Sequence, residues 1–328
     1  MIKSFLWKPG IEVRVIEGIA DFDTLFADPE VVLWIDMTNP TDEESFILTN
    51  DFHFHPLAIE DVIEEEDAIT ELGRSKIDDY RDYLYVEFQI ADYISFEKGI
   101  DLQEIHIFLT KNTVVTVHDT NHKVFTYLHN RALRDERLMS RGADFLLHII
   151  IDTVVDNYNS VLKFFEKAVD DIERAVLTEP DEKTVKTIFT LRRDIYELKR
   201  VALPQREILG QINRGQFSMI SERAAFYFND VHDHLTRIIE LSESHRDMLI
   251  SALEVYFSHV STKTNEIIKI LTIFTVILMP PTFLVGLWGM NFKYMPELEW
   301  KYGYLVVWVI IILIAVIMVF FFKKKKWL

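Results

Sequence analysis

The chain has 328 residues, with 52 Asp and Glu against 35 Lys and Arg, no cysteine, and 49% hydrophobic residues. This acidic balance excludes nucleic acid as a partner, disfavours anionic surfaces for the main body and favours divalent cations. The missing cysteines exclude disulfides, thiolate zinc sites and cysteine nucleophiles.

Met1 to Pro9 holds no continuous apolar run, so no secretory signal is expected there. Residues 1–142 read as a cytosolic α/β domain. Ile11 to Ile16, Val31 to Ile35, Tyr83 to Ile90, Ile105 to Leu109 and Thr113 to Val117 are short runs rich in β-branched and aromatic residues and predict strands. Helices are expected from Thr41 and over Pro56 to Glu66, with Gly73 and Gly99 as turn residues. Residues 143–215 read as a cytosolic helical hairpin, Phe145 to Leu177 and Thr184 to Leu203. Between these helices Pro180 ends the first and Asp181 caps the second. Gly210 and Gly215 bracket a further break. From Ser218 to Trp288 no Gly or Pro interrupts the helical pattern before Pro280. That predicts one stalk helix (216–266) running on into a first membrane span (267–288), on the order of 100 Å in all.

Ile267 to Trp288 contains one Lys and no acid, and Leu305 to Phe322 contains no charge at all. Each approaches the roughly 20 apolar residues that cross a bilayer as a helix. The connector, 289–304, is too short for a domain, so the spans form a hairpin with its tip on one side and both large ends on the other. The basic tail, 323–328, with its run Lys323-Lys324-Lys325-Lys326, marks that other side as cytoplasmic, and Lys263 and Lys269 agree. The expected location is the cell membrane, with both termini in the cytoplasm. No GxxxxGK, GxSxG or HExxH motif is present, so an enzyme or ATP-driven pump is not expected.

The tripeptide Gly289-Met290-Asn291 is followed by Phe292-Lys293-Tyr294-Met295-Pro296-Glu297-Leu298 and preceded by Met279-Pro280-Pro281-Thr282. His55-Pro56-Leu57-Ala58-Ile59-Glu60-Asp61 and Lys263-Thr264-Asn265-Glu266 lie upstream. Together with the two spans, these segments resemble the CorA family of divalent-cation channels over nearly the whole chain. The resemblance implies a funnel-shaped homopentamer and influx of Mg²⁺, with Co²⁺, Ni²⁺ or Zn²⁺ as further candidate ions. A Zn²⁺, Co²⁺ or Ni²⁺ transporter of the same superfamily is the alternative, and a membrane-anchored scaffold without transport is the alternative of another class.

Thr264, Ile268, Leu271, Thr275, Met279, Thr282 and Gly286 succeed one another at steps of three or four and therefore share one helix face. By the resemblance each becomes a ring around a pore. Mg²⁺ sheds water reluctantly, so selection calls for neutral oxygen dipoles that hold its water shell. Asn291 offers such an oxygen at the mouth, and Gly286 and Gly289 keep that mouth wide. Ile268, Leu271 and Met279 supply apolar rings that gate by dewetting. Thr264 and Asn265 stand at the cytoplasmic end, and Glu297 and Glu299 concentrate cations outside.

The resemblance further implies regulatory metal sites between neighbouring cytosolic domains, at Glu60, Asp61, Asp152, Asp230, His234 and Glu254. Glu254 stands where the family carries Asp. Carboxylates that repel when empty are drawn together by a divalent ion, so bound metal is expected to clamp subunits and close the pore. The imidazoles near Asp230 also suit Co²⁺, Ni²⁺ or Zn²⁺. His53, His118, His122 and His129 show no ligand-like grouping.

Overall fold

The computed structural model describes residues 1–17, 28–63, 75–178, 181–296 and 299–327. It divides into two compact units, Met1–Leu253 and Glu254–Leu328.

The first unit is built on a seven-stranded sheet, β1 (Ile2–Lys8), β2 (Ile11–Glu17), β3 (Val32–Thr38), β4 (Lys76–Asp79), β5 (Leu84–Ser95), β6 (Gly99–Leu109) and β7 (Thr113–His118), in the order β2-β1-β3-β7-β6-β5-β4. Only the central pair β3 and β7 is parallel, Leu33 opposite Thr113 through Thr38 opposite His118. That pairing needs a long crossover, and the helices α1 (Asp42–Asn50) and α2 (Pro56–Ile63) lie within it. β7 is buried along its whole length and β3 along all but its last residue, so that even the polar Asp36, Thr113, Thr116 and His118 on them are enclosed. β1 and β4 are strands beyond the five expected from apolar runs in the sequence. β4 is four residues long with two acids, and β1 lies in the segment read only for a leader.

One face of the sheet packs Leu33, Ile35, Met37, Tyr85, Phe108 and Val115 against Ile47 and Leu48 of α1, Phe54 of the connecting turn, and Ala58 and Ile59 of α2. Thr41 starts α1 with a capping box, its hydroxyl accepting from the Glu44 amide while the Glu44 carboxylate accepts from the Thr41 amide. His55 sets the start of α2, since its Nδ1 accepts from the Leu57 amide at 3.2 Å and its own amide donates to the Tyr83 hydroxyl at 2.8 Å. The described part of α2 ends at Ile63; Glu64 to Glu66 and Gly73 lie outside the described residues.

The other face carries α3 (Lys123–Ala132), α4 (Ala143–Thr178) and α5 (Glu182–Asn213), with a short 3₁₀ turn at Glu136–Leu138. α4 and α5 dock on β5 through buried polar contacts. Tyr158 donates to the Gln89 carbonyl at 2.5 Å, Gln205 Nε2 donates to the same carbonyl at 3.1 Å, and Asn157 Nδ2 donates to the Ala91 carbonyl at 2.7 Å. Asp181 caps α5 by accepting from the Thr184 amide at 2.7 Å, whereas Glu179 and Pro180 lie outside the described residues. α5 does not stop at Leu203: it runs through Pro204 and Gly210 to Asn213, because the buried side chains Ile208, Leu209 and Ile212 continue its packed face. The break falls after it, where Gly215 takes a positive φ of 68°. Gly99 opens β6 at φ 76°, and a Cβ there would lie 2.9 Å from Asp194 Oδ1, so the position requires glycine twice over.

α6 (Glu222–Trp288) is a single helix of 67 residues, and α7 (Gly303–Lys324) follows the connector. No break occurs at Ser242 to Ser244; the buried Ser242 hydroxyl donates to the Ile238 carbonyl at 2.8 Å and so stays within the helix. Pro280 and Pro281 sit inside α6 and leave the carbonyls four residues earlier, at Val276 and Ile277, without their helical donors. Both helices contain segments long and apolar enough to span a membrane, with mean hydropathy 2.2 in α6 and 3.5 in α7.

Candidate ion pathway and metal sites

In the second unit, Ile273 is 7% exposed and Lys269, Thr272, Ile277, Pro280, Leu284 and Trp288 are partly covered. These positions mark the side of α6 that is covered within the chain. Thr264, Ile268, Leu271, Thr275, Met279, Thr282 and Gly286 fall on the opposite side and all are exposed, Leu271 at 65% and Met279 at 69%. The apolar stripe with its hydroxyls therefore lies within the wide surface this chain leaves uncovered, together with Ile270, Phe274 and Phe283.

The threonines on that face donate to the carbonyl one turn earlier: Thr264 to Val260, Thr275 to Leu271 and Thr282 to Leu278, each at 2.8 Å. With the proton committed to the helix, each hydroxyl oxygen keeps its two lone pairs and can act only as an acceptor toward a guest. A hydrated cation points its water hydrogens away from itself, so acceptors of this kind suit the shell of an ion that keeps its waters.

α6 ends at Trp288, with the Gly289 amide still donating to the Val285 carbonyl at 2.9 Å. A Cβ on Gly289 would lie 3.1 Å from that same carbonyl, whereas one on Gly286 would meet nothing within 4 Å. Gly289 thus serves the helix end, and Gly286 leaves open space on the exposed face. Met290 and Asn291 follow in exposed, irregular backbone, with Lys293 and Glu299 also exposed. Glu297 lies outside the described residues.

The first unit gathers a second group. Asp152 and Asp156 stand one turn apart on α4, and their carboxylates and an imidazole nitrogen of His234 on α6 all lie within 4.8 Å of one another. Asp230, one turn before His234, places Oδ2 3.8 Å from its Nε2. Burial and the neighbouring negative charge of Asp156 push the Asp152 carboxyl up to about 6, with Asp230 adding to the effect and His234 opposing it. Burial holds nearby His148 down to about 4. The His234 Nδ1 is buried with no hydrogen-bond partner. Two carboxylates that destabilise each other beside an imidazole, with one carboxyl already resisting ionisation, form an oxygen and nitrogen donor set that fits a divalent cation.

Of the six sensor residues expected from the sequence, Asp152, Asp230 and His234 come together, and Asp156 joins them. Its i, i+4 spacing from Asp152 on one helix is the signal that could have found it. Glu60 and Asp61 belong to another neighbourhood: Glu60 is exposed, and the Asp61 carboxylate accepts from Lys76 Nζ at 2.6 Å. Glu254 is exposed and belongs to the second unit.

Three of the histidines without a ligand-like grouping instead hold buried or half-buried carboxylates. His118 Nε2 at 3.1 Å and His129 Nε2 at 2.8 Å flank different oxygens of Asp36, which is 1% exposed and also accepts from Thr116 Oγ1 at 2.5 Å. Burial alone would raise this carboxyl; the bonds from His118 and His129 prevail and bring it down to about 2. His122 likewise holds Asp92 at 2.7 Å. Strand β3 brings Asp36 against residues some 80 to 90 positions later, which no local pattern reveals.

Comparison with known proteins follows this geometry. The family described as CorA-like Mg²⁺ transporter protein matches residues 29–324. The cobalt/magnesium transport protein CorA of Thermotoga maritima is 35% identical over 305 residues, covering 92% of this chain and 85% of that one. A putative metal ion transporter of Bacillus subtilis is 31% identical over 274 residues, covering 84% and 83%. The complete structure of the CorA magnesium transporter from Methanocaldococcus jannaschii superposes with a TM-score of 0.85 over 99% of this chain and 98% of that one, at 22% identity. An α/β unit, one long helix whose apolar end keeps a hydroxyl-bearing face uncovered, the Gly-Met-Asn end of that helix and a match spanning both units agree: the chain belongs to the CorA-like Mg²⁺ transporter family.

Proposed function

We propose that this chain is one subunit of a homo-oligomeric channel that passes Mg²⁺, and also Co²⁺, down the electrochemical gradient. The observation that carries the reading is the exposed stripe on α6, opposite the side the chain covers. A membrane anchor has no use for aligned hydroxyls, whereas copies of this helix around an axis make a lined path of them. Five copies are the number the family resemblance suggests. A membrane potential of 100 mV supplies about 4.6 kcal/mol for a divalent ion, at about 2.3 kcal/mol per charge, so no nucleotide is needed. Both large ends face the cytoplasm in this reading, since the lysines at the span ends belong there. Asn291 holds the hydrated ion at the mouth between Gly289-Met290 and the loop that carries Glu297, Ile268, Leu271 and Met279 form the apolar gate, and Thr264 and Asn265 receive the ion at the inner end.

The group Asp152, Asp156, Asp230 and His234 then reads cytosolic metal. Glu60, Asp61 and Glu254 complete ligation across the boundary between subunits, so that bound metal clamps them and favours the closed state. His234 makes this group receptive to Co²⁺, Ni²⁺ or Zn²⁺ as well as Mg²⁺.

The test is ion flux through the purified full chain in liposomes, run with Mg²⁺, Co²⁺ and Zn²⁺ separately. Wild-type protein passes Mg²⁺ and Co²⁺; Asn291→Ala loses Mg²⁺ flux while the oligomer stays intact. Wild-type flux and selectivity in that variant would remove Asn291 from the mouth, and flux of Zn²⁺ alone would move the protein to the alternative cargo.

A further inference from the structure

The C-terminal end of α7 is built in a way that its transport role does not use. The helix closes with the Lys325 amide donating to Phe321 at 3.0 Å, Lys326 to Lys323 at 3.1 Å and Trp327 to Phe322 at 2.9 Å. Lys326 takes a positive φ of 57°, a left-handed turn that a non-glycine residue adopts only when its surroundings hold it there. The turn folds the chain back, so that Trp327 stacks on Phe322 with ring centroids 5.8 Å apart and planes at 23°. On the facing helix, Lys269 is the one charge in the first apolar run, and its Nζ donates to the Lys326 carbonyl at 3.3 Å.

Between these groups lies an open recess of about 410 Å³ lined by Asn265, Ile268, Lys269, Lys325, Lys326 and Trp327, with Thr272 beside them. Among the described residues none of the three lysines forms an ion pair. The Thr272 hydroxyl donates back to the Ile268 carbonyl at 2.7 Å, so the donors left for a guest are the three ammonium groups. The recess therefore offers positive charge on one side and the apolar Trp327 on the other, while Asn265 and Ile268 at its edge turn toward the face assigned above to the ion path. It sits where two apolar spans end, at the level of the bilayer surface, where an indole with one apolar face and one polar edge is at home.

We propose that this recess binds the phosphate of an anionic phospholipid, with Lys269, Lys325 and Lys326 on the phosphate oxygens and Trp327 against the glycerol and upper acyl chain. Basic pockets between membrane helices recognise lipid headgroups by this chemistry, and each lysine contributes on the order of a fivefold change in affinity. The proposal rests on the two spans lying in a bilayer and is independent of which ion is carried.

The experiment follows the unfolding temperature of the detergent-solubilised full chain during titration with phosphatidylglycerol, phosphatidylcholine of the same acyl chains, or inorganic phosphate. Phosphatidylglycerol raises it, and the other two do not. Lys269→Gln/Lys325→Gln/Lys326→Gln weakens the phosphatidylglycerol midpoint by roughly a hundredfold, three lysines at about fivefold each. Lys323→Gln/Lys324→Gln removes charge from the same tail outside the recess and shifts the midpoint much less. Should the triple variant fail to fold, Lys269→Met and Trp327→Ala singly give the same comparison. Equal shifts from both sets of lysines would overturn the proposal in favour of diffuse attraction, and an equal response to phosphatidylcholine would overturn it outright. A response to inorganic phosphate alone would make the ligand a free anion, and loss of the oligomer together with the lipid shift would make the recess a contact between copies of this chain.

Discussion

Helix α6 passes through two kinds of surroundings along its 67 residues, and the contrast between them is informative. In its first part Ala224, Phe228, Val231, Leu235, Ile238, Ser242 and Leu249 are buried at the spacing of one helical face, and the charged residues lie on the other. From Glu254 onward Ile273 is the only buried residue of the helix among those described, and from Ile267 the helix is apolar on nearly every side. Exposed Leu, Ile, Val and Phe on this scale require lipid or other copies of the chain to cover them. The first unit meets its apolar demand internally and holds a charge such as Asp36 between two histidines; the second unit meets neither demand alone.

That contrast is broken most severely at Asp36. Asp36→Ala leaves two facing imidazoles and a threonine hydroxyl without their shared acceptor, and is expected to destabilise the first unit by about 3–5 kcal/mol. Chemical unfolding followed through the tryptophan signal measures it. The same group predicts acid sensitivity. Since the folded-state carboxyl sits near 2, below its usual value of 3.8, its contribution is complete at neutral pH and is lost as pH falls from about 4 to about 2.

In the second unit the corresponding loss is of tightness and leaves the fold intact. On the proposed reading, in which Met279 and Leu271 form an apolar gate, Met279→Ala or Leu271→Ala is expected to raise flux at high internal Mg²⁺ on the order of tenfold with the oligomer unchanged. Unchanged closed-state flux in both would move the constriction elsewhere along the stripe.

The Asp152 group supplies a smaller effect of defined sign. A divalent ion at the proposed site would require the carboxylate, and burial pushes that carboxyl up to about 6, so the Mg²⁺ midpoint for protease protection should weaken by about tenfold per pH unit below 6. Asp61→Asn/Glu254→Gln should remove the metal-dependent part of that protection; an unaltered midpoint and amplitude would make those two ordinary surface acids.

Smallest is the effect of Asp152→Asn on the metal-free protein. A carboxyl whose folded-state value is raised above 3.8 opposes folding at neutral pH, by an amount that grows as pH rises from about 4 to about 6. The substitution should stabilise the metal-free first unit by about 1 kcal/mol, since solvent screens a group that is not fully buried. Magnesium should no longer add to its unfolding temperature.

The two spans, the long helix and five of the seven strands are legible in the sequence because each rests on local periodicity or on a run of apolar residues. The stripe on α6 is legible for the same reason, as helical spacing alone aligns Thr264 to Gly286. The resemblance carried by Gly289-Met290-Asn291 and its neighbours is also a property of contiguous residues. Tertiary structure decided the rest. It added Asp156 to Asp152 and His234, paired Asp36 with His118 and His129, and engaged Asp61 with Lys76. These depend on which distant segments share a wall, on β3 lying parallel to β7 and on α4 lying beside α6. A side chain's partners across such a boundary are set by packing; the i, i+4 spacing of Asp152 and Asp156 is legible in the chain, but their meeting with His234 is not.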